Sequence, residues 1–124
     1  MIKIADIFII DDEQDIIFLF ERFLKSRGHD IIDKAYDGEQ ALKIFKNFQL
    51  YPDIIFLDHQ MPFKNGLETM KEFLQINPNS KIVFISADYT VKIKALKMGA
   101  IEFLEKPVNL SVLNDIIEKY VLVN

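Results

Sequence analysis

Three stretches of the chain, Ile7–Ile10, Ile54–Leu57 and Ile82–Ile85, are apolar at every position. A strand with one face in water alternates apolar and polar side chains, so an unbroken run implies burial on both faces. Such burial is the ordinary condition of a parallel sheet covered by helices on its two sides. Weaker strand candidates follow at Ile31–Ala35 and Ile101–Leu104. Helical spacing fills the intervals. Ile16, Leu19, Phe20, Phe23 and Leu24 are assigned to one face, and Ala41, Ile44, Phe45 and Phe48 to another. Leu67, Met70 and Leu74 mark a third helix, Val91, Ala95 and Met98 a short fourth, and Leu113, Ile116, Ile117 and Tyr120 a fifth.

Gly28, Gly38, Pro52, Gly66, Pro78, Gly99 and Pro107 fall at or near the proposed boundaries, as residues that interrupt regular structure should. The pattern is therefore strand then helix, five times over. It predicts an α/β fold: a five-stranded parallel sheet with helices on both faces, doubly wound and flavodoxin-like. At 124 residues the chain is the size of one domain, and residues 1–124 are read as a single unit without repeat or linker.

Charge narrows the function. With 15 basic and 19 acidic residues the formal net charge is −4, which offers no general attraction to nucleic-acid phosphates, so direct nucleic-acid binding is not expected. There is no cysteine for a disulfide or thiolate metal site, and no apolar run approaches the roughly 20 residues of a membrane-crossing helix. A cytoplasmic protein without direct membrane attachment is expected.

In an open α/β sheet, functional groups gather beyond the carboxyl ends of the strands. The first run ends in Asp11, Asp12 and Glu13, the third in Asp58 and the fourth in Ser86, while Lys106 and Pro107 follow the fifth. Carboxylates crowded together raise one another's pKa unless a cation lies among them, and an all-oxygen donor set suits magnesium. Asp58 is suited to act as a nucleophile, with Lys106 and Ser86 holding phosphoryl oxygens by a mobile charge and a neutral hydrogen bond. Taken one at a time, these residues also have plainer uses. Asp12 can cap the first helix, Ser86 can satisfy a local backbone donor, and Lys106 can be a solvated turn residue. His59 reads as an exposed loop residue rather than a metal ligand, and His29 as a turn residue after Gly28.

Taken together, the order DD, LD, ISA and EKP along the chain resembles the receiver domains of two-component response regulators. The resemblance spans essentially the whole sequence. It implies that Asp58 is the phosphoacceptor, that Asp11 and Asp12 form the acidic pair, and that the main-chain carbonyl of Gln60 joins Asp11, Asp12 and Asp58 in binding Mg2+. Met61, Pro62 and Gly66 fit the family's following loop. Ser86 fills the Ser/Thr position, Lys106 the lysine position, with its bond to Pro107 often cis in the family, and Phe103 the aromatic switch position. Gln60 and Asp88 match the positions that tune dephosphorylation.

The implied function is a self-acting phosphoryl switch rather than an enzyme with a separate substrate. Its donor would be a histidine kinase or histidine phosphotransfer protein. Its output would be a downstream target or output domain read at the face of the fourth helix, fifth strand and fifth helix, where Lys92, Lys94, Lys97, Glu102 and Phe103 lie. No output domain is expected within 1–124, and the molecule is expected as a monomer or a phosphorylation-dependent dimer. Other readings are a receiver fold that works by constitutive contacts, a flavodoxin-like cofactor protein and an aspartate-nucleophile phosphatase. The filled active-site positions oppose the first. The lack of a glycine-rich or Ser/Thr-rich loop after the first strand, and of an acid two residues past Asp58, opposes the others.

Overall fold

The computed structural model describes residues 5–122. Five strands, β1 (Asp6–Ile10), β2 (Asp30–Ala35), β3 (Ile54–Asp58), β4 (Ile82–Ser86) and β5 (Glu102–Glu105), form one sheet in the order β2-β1-β3-β4-β5. Every neighbouring pair is parallel. The helices are α1 (Gln14–Ser26), α2 (Gly38–Lys46), α3 (Gly66–Ile76), α4 (Lys92–Met98) and α5 (Leu110–Tyr120), with a 3-10 turn at Tyr89–Val91 leading into α4.

The unbroken apolar runs are buried on both sides, as expected. Ile7, Ile9, Ile54, Phe56, Val83 and Ile85 face α1 and α5. Their alternates Phe8, Ile10, Ile55, Leu57, Ile82 and Phe84 face α2, α3 and α4. On that second face the rings of Phe45 and Phe73 stack 4.1 Å apart, and Phe8 packs 6.2 Å from Phe73. The two weaker strand candidates are the sheet's edges, β2 and β5, and their side chains are mostly half-buried.

The buried face of α1 is centred differently from the sequence assignment. Ile17, Phe20 and Leu24 are its core residues, with Ile16 and Phe23 at the margin, whereas Leu19 is 49% exposed. The run Ile16–Phe20 is apolar throughout, so periodicity cannot place the centre of the face. His29 also differs. It follows the turn but is buried, with Nδ1 accepting from the Ala5 N–H (3.3 Å) and Nε2 against Asn114 Oδ1 (2.7 Å), tying α5 to the start of β1.

Strand order reverses between β1 and β3, which opens a crevice above their carboxyl ends. The wall on the β3 side is set by Gly66, the first residue of α3. A Cβ there would lie 2.6 Å from the Asp58 carbonyl oxygen and 2.7 Å from His59 Cα. Asn65 and Glu68 fix this helix start with a reciprocal capping box, at 2.9 and 3.0 Å. Gly66→Ala is therefore expected to destabilise the fold by about 2 kcal/mol, because the blocking atoms are backbone and cannot swing aside. Urea denaturation checks this, and an unchanged midpoint would show that α3 shifts freely.

Candidate functional site

The carboxyl ends of four strands bring the predicted groups together. Asp11 follows β1, Asp58 ends β3, Ser86 ends β4 and Lys106 follows β5. The Lys106 Nζ lies 3.1 Å from Asp58 Oδ1, 3.2 Å from Asp11 Oδ2 and 3.5 Å from Glu13 Oε1. Asp11 and Asp58 are each only 2% exposed, so these are buried charges rather than surface pairs. The Lys106–Pro107 bond is cis, and the Lys106 N–H donates to the Ser86 carbonyl at 3.0 Å.

Negative charge exceeds positive here. Carboxylate oxygens of Asp11, Asp12 and Glu13 lie within 4.8 Å of one another, and Lys106 is the cation that Asp11 and Glu13 share with Asp58. Burial, with the nearby Asp11 charge, pushes Asp58 up to about 7 despite Lys106. Burial also raises Asp11, against the Glu13 backbone N–H and Lys106, which favour its ionised form. Desolvation works to lower the lysine pKa, but Asp58 and Asp11 outweigh it and hold Lys106 above its ordinary value.

The structure decides among the plainer readings of single residues. Asp12 is exposed and does not cap α1. The N-cap is Glu13, without a side-chain cap bond, while Asp11 Oδ1 accepts from the Glu13 N–H at 2.8 Å. Ser86 is fully buried, and its Oγ accepts from the Asp88 N–H at 2.9 Å, so it does serve a local backbone donor. An accepting hydroxyl keeps its own proton to donate. Asp88 caps the 3-10 turn, its Oδ1 taking bonds from Thr90 N (2.9 Å) and Thr90 Oγ1 (2.5 Å).

Gln60 is exposed in the loop after β3. His59 is half-buried rather than exposed. Its ring lies 5.4 Å from that of Phe84, its Nδ1 is buried without a hydrogen-bond partner, and desolvation lowers its pKa. Phe103 is partly buried, stacked 6.2 Å from Phe84 and edge-on to Tyr89 at 6.1 Å. The sequence reading left Glu13 out of the ligand set. The acidic run DDE was the available signal, but spacing alone does not show that its third side chain turns back toward Lys106.

Asp58 Oδ2 is buried with no hydrogen-bond partner, and orphaned carboxylate oxygens are costly. An all-oxygen acidic cluster beside it can hold a hard divalent cation. The donor set fits such an ion.

A family model described as response regulator receiver domain matches residues 7–118. Chemotaxis protein CheY of Thermotoga maritima is 33% identical over 103 residues, covering 82% of this chain and 84% of that protein. Transcriptional regulatory protein CpxR of Escherichia coli is 32% identical over 104 residues, or 83% of this chain, which spans only 43% of CpxR. Among solved structures, a chain of the CheX–CheY complex with BeF3 and Mg2+ from Borrelia burgdorferi superposes with a TM-score of 0.89. It is 28% identical, with 99% of this chain and 92% of that chain covered.

The strained protonation of Asp58 has a measurable consequence. Its pKa rises from 3.8 to about 7 on folding, so below pH 3.8 the residue costs the fold nothing. The cost grows between these values, where the unfolded chain has released the proton and the folded chain has not, and it is complete above 7. Asp58→Asn should thus stabilise the chelator-treated protein at pH 8 by on the order of 2 to 4 kcal/mol, with the gain shrinking toward pH 4. Urea titrations of parent and variant across this range are the check, and equal stability at pH 8 would refute it.

Proposed function

The chain belongs to the response regulator receiver family, and on that premise we propose that it is a phosphoryl switch in which Asp58 takes the group from a histidine kinase or histidine phosphotransfer protein. The observation that carries this reading is the Asp58 carboxylate itself: buried at the crevice, held on Oδ1 by Lys106, and free on Oδ2. An Asp58 oxygen attacks the phosphorus of a phosphohistidine, the phosphorus–nitrogen bond breaks, and an acyl phosphate forms as imidazole leaves. Bound Mg2+, held by Asp11, Asp12, Asp58 and the Gln60 carbonyl, would neutralise charge on the incoming group.

Lys106 pairs with Asp58 at rest and is placed to follow the new phosphoryl oxygens, while the Ser86 hydroxyl donates to another. Moving Ser86 Oγ toward the phosphoryl group withdraws it from the Asp88 N–H and so disturbs the turn that leads into α4. Phe103 packs edge-on against Tyr89, the first residue of that turn, which makes the α4–β5–α5 face the natural place for a downstream target to read the state. No helix among the described residues is long and apolar enough to cross a membrane. A cytoplasmic setting belongs to this proposal, since a chain without cysteine suits a reducing compartment.

Incubation with acetyl phosphate and Mg2+ tests the assignment. The parent should gain one acid-labile phosphoryl group by intact mass, Asp58→Asn none, and Lys106→Ala some labelling without the amide shifts seen at α4 in the parent. Undiminished labelling of Asp58→Asn would remove Asp58 from the role.

Phosphoryl loss requires a water in line with the Asp58–phosphorus bond, which then breaks to give phosphate and the free carboxylate. Gln60 and Asp88 stand near this approach by their family positions and can orient such a water. Replacing both with leucine should lengthen the phosphoryl lifetime several-fold without blocking its formation. Equal decay under matched Mg2+ would show that water access is governed elsewhere.

A further inference from the structure

The loop between β3 and α3 holds a backbone conformation that its sequence does not favour. Phe63 has φ +69°, a region that bulky residues rarely adopt, and across it the Lys64 N–H donates to the Pro62 carbonyl at 2.8 Å. A bond of this span closed around a positive φ is the strained form of the γ-turn. The Phe63 side chain does not anchor it, being 90% exposed. Strain of this kind persists only where the surroundings hold it, and it gathers at functional positions.

The next residue supplies the hold. Lys64 keeps only 15% of its side chain exposed, and its Nζ bridges two helices: it donates to Glu72 Oε2 on α3 and lies 3.5 Å from Glu39 Oε1 on α2. Its backbone is pinned too. Gly38, the first residue of α2, lies so close that a Cβ there would stand 2.8 Å from the Lys64 carbonyl oxygen and 2.9 Å from the Lys64 Cβ. At the base of the loop the Gly66 N–H donates to the His59 carbonyl at 2.8 Å. Two helices and a strained turn therefore meet on one ammonium group, on the α2–α3 side of the molecule.

Gln60 lies within this loop, and the part proposed for it in binding Mg2+ belongs to its main-chain carbonyl. A side-chain ligand can adjust through its rotamers, whereas a carbonyl is placed only by the backbone that carries it. We propose that the bridge from Lys64 to Glu39 and Glu72 is a positioning device: it holds the γ-turn at Phe63 and so sets the Gln60 carbonyl for the cation. This rests on the receiver reading of Gln60 and extends it to three groups that are not ligands.

The signs of the charges separate this role from plain electrostatics. By charge alone Lys64 repels a cation and Glu72 attracts one, so Lys64→Met should tighten Mg2+ binding, Glu72→Gln should loosen it, and the two effects should add. A bridge gives the other pattern: each change loosens the site, and the second adds little once the first is made.

The experiment follows the amides of the full chain by NMR, first for hydrogen exchange without metal and then through a Mg2+ titration, in the parent, Lys64→Met, Glu72→Gln and the pair. Methionine keeps most of the lysine stem and removes the charge. Lys64→Met should speed exchange at position 64 and at Gly66 about tenfold and weaken Mg2+ binding about three- to fivefold, with β1, β3 and β4 unaffected. Glu72→Gln should act in the same direction by less, and the pair should match Lys64→Met.

Tighter Mg2+ binding in Lys64→Met, additive effects, or loop exchange equal to the parent would overturn the proposal. So would faster exchange throughout the sheet, which marks general loosening instead of a local hold. A parent whose amides ignore Mg2+ would overturn the metal reading beneath it, and faster loop exchange in Lys64→Met alongside that silence would leave the bridge a purely structural one, so the two failures are told apart.

Discussion

Asp11 and Asp58 are buried beside a single ammonium, and the architecture at this end of the sheet follows from that imbalance. Removing two carboxylates from water costs several kcal/mol each unless other charges or donors replace the solvent. Lys106 supplies part of this, and the Glu13 N–H supplies another part to Asp11. What remains is an oxygen of Asp58 with no partner and a proton held to about pH 7. A hydrophobic core alone would not place charges this way, and a purely structural ion pair would be matched one to one. The excess negative charge is a standing affinity for a cation and, with a cation present, for an anionic group.

The same demand explains how the neighbouring elements begin. Helices α2, α3 and α5 start with side-chain caps from Asp37, Asn65 and Asn109, whereas α1 has none. The residues in front of α1 that are chemically able to cap it are turned to the acidic cluster instead, and the positive end of the helix dipole partly repays their crowding. Gly66 has the matching role on the other side of the crevice, where α3 must begin against the backbone of Asp58 and His59. Local helix stability at α1 and side-chain volume at residue 66 are both given up to hold the carboxylates in place.

The sheet and the site residues were legible in the sequence for the same reason. The central strands β1, β3 and β4 are buried on both faces, so their apolar runs are unbroken, and each run points directly at the residue that ends it. The edge strands β2 and β5 are half-exposed and gave weaker runs. Two histidines escaped. His29 is buried through contacts with Ala5 and Asn114, which lie 24 and 85 residues away, and His59 is half-buried with its ring tilted against Phe84 from the next strand. Long-range partners of this kind leave no periodic trace. Glu13 escaped for a related reason, since its approach to Lys106 depends on how β5 lies beyond β4 rather than on the acidic run itself.

What joins the acidic crevice to the outer face of α4 is a short sequence of contacts with few alternatives. The Ser86 hydroxyl that would meet a phosphoryl group is also the acceptor for the Asp88 N–H, and Asp88 in turn caps the 3-10 turn through Thr90. Tyr89, the first residue of that turn, lies edge-on to Phe103 and beneath Lys92. Phe103 stacks on Phe84, which lies against the ring of His59 next to Asp58. On our reading, Ser86 cannot change its acceptor role without loosening the cap, and Tyr89, which is half exposed, cannot move without changing the surface in front of α4. A close-packed interior favours discrete rearrangements of such contacts over gradual ones. The chemistry we propose at Asp58 and the shape of α4 would thereby be linked through the same few side chains.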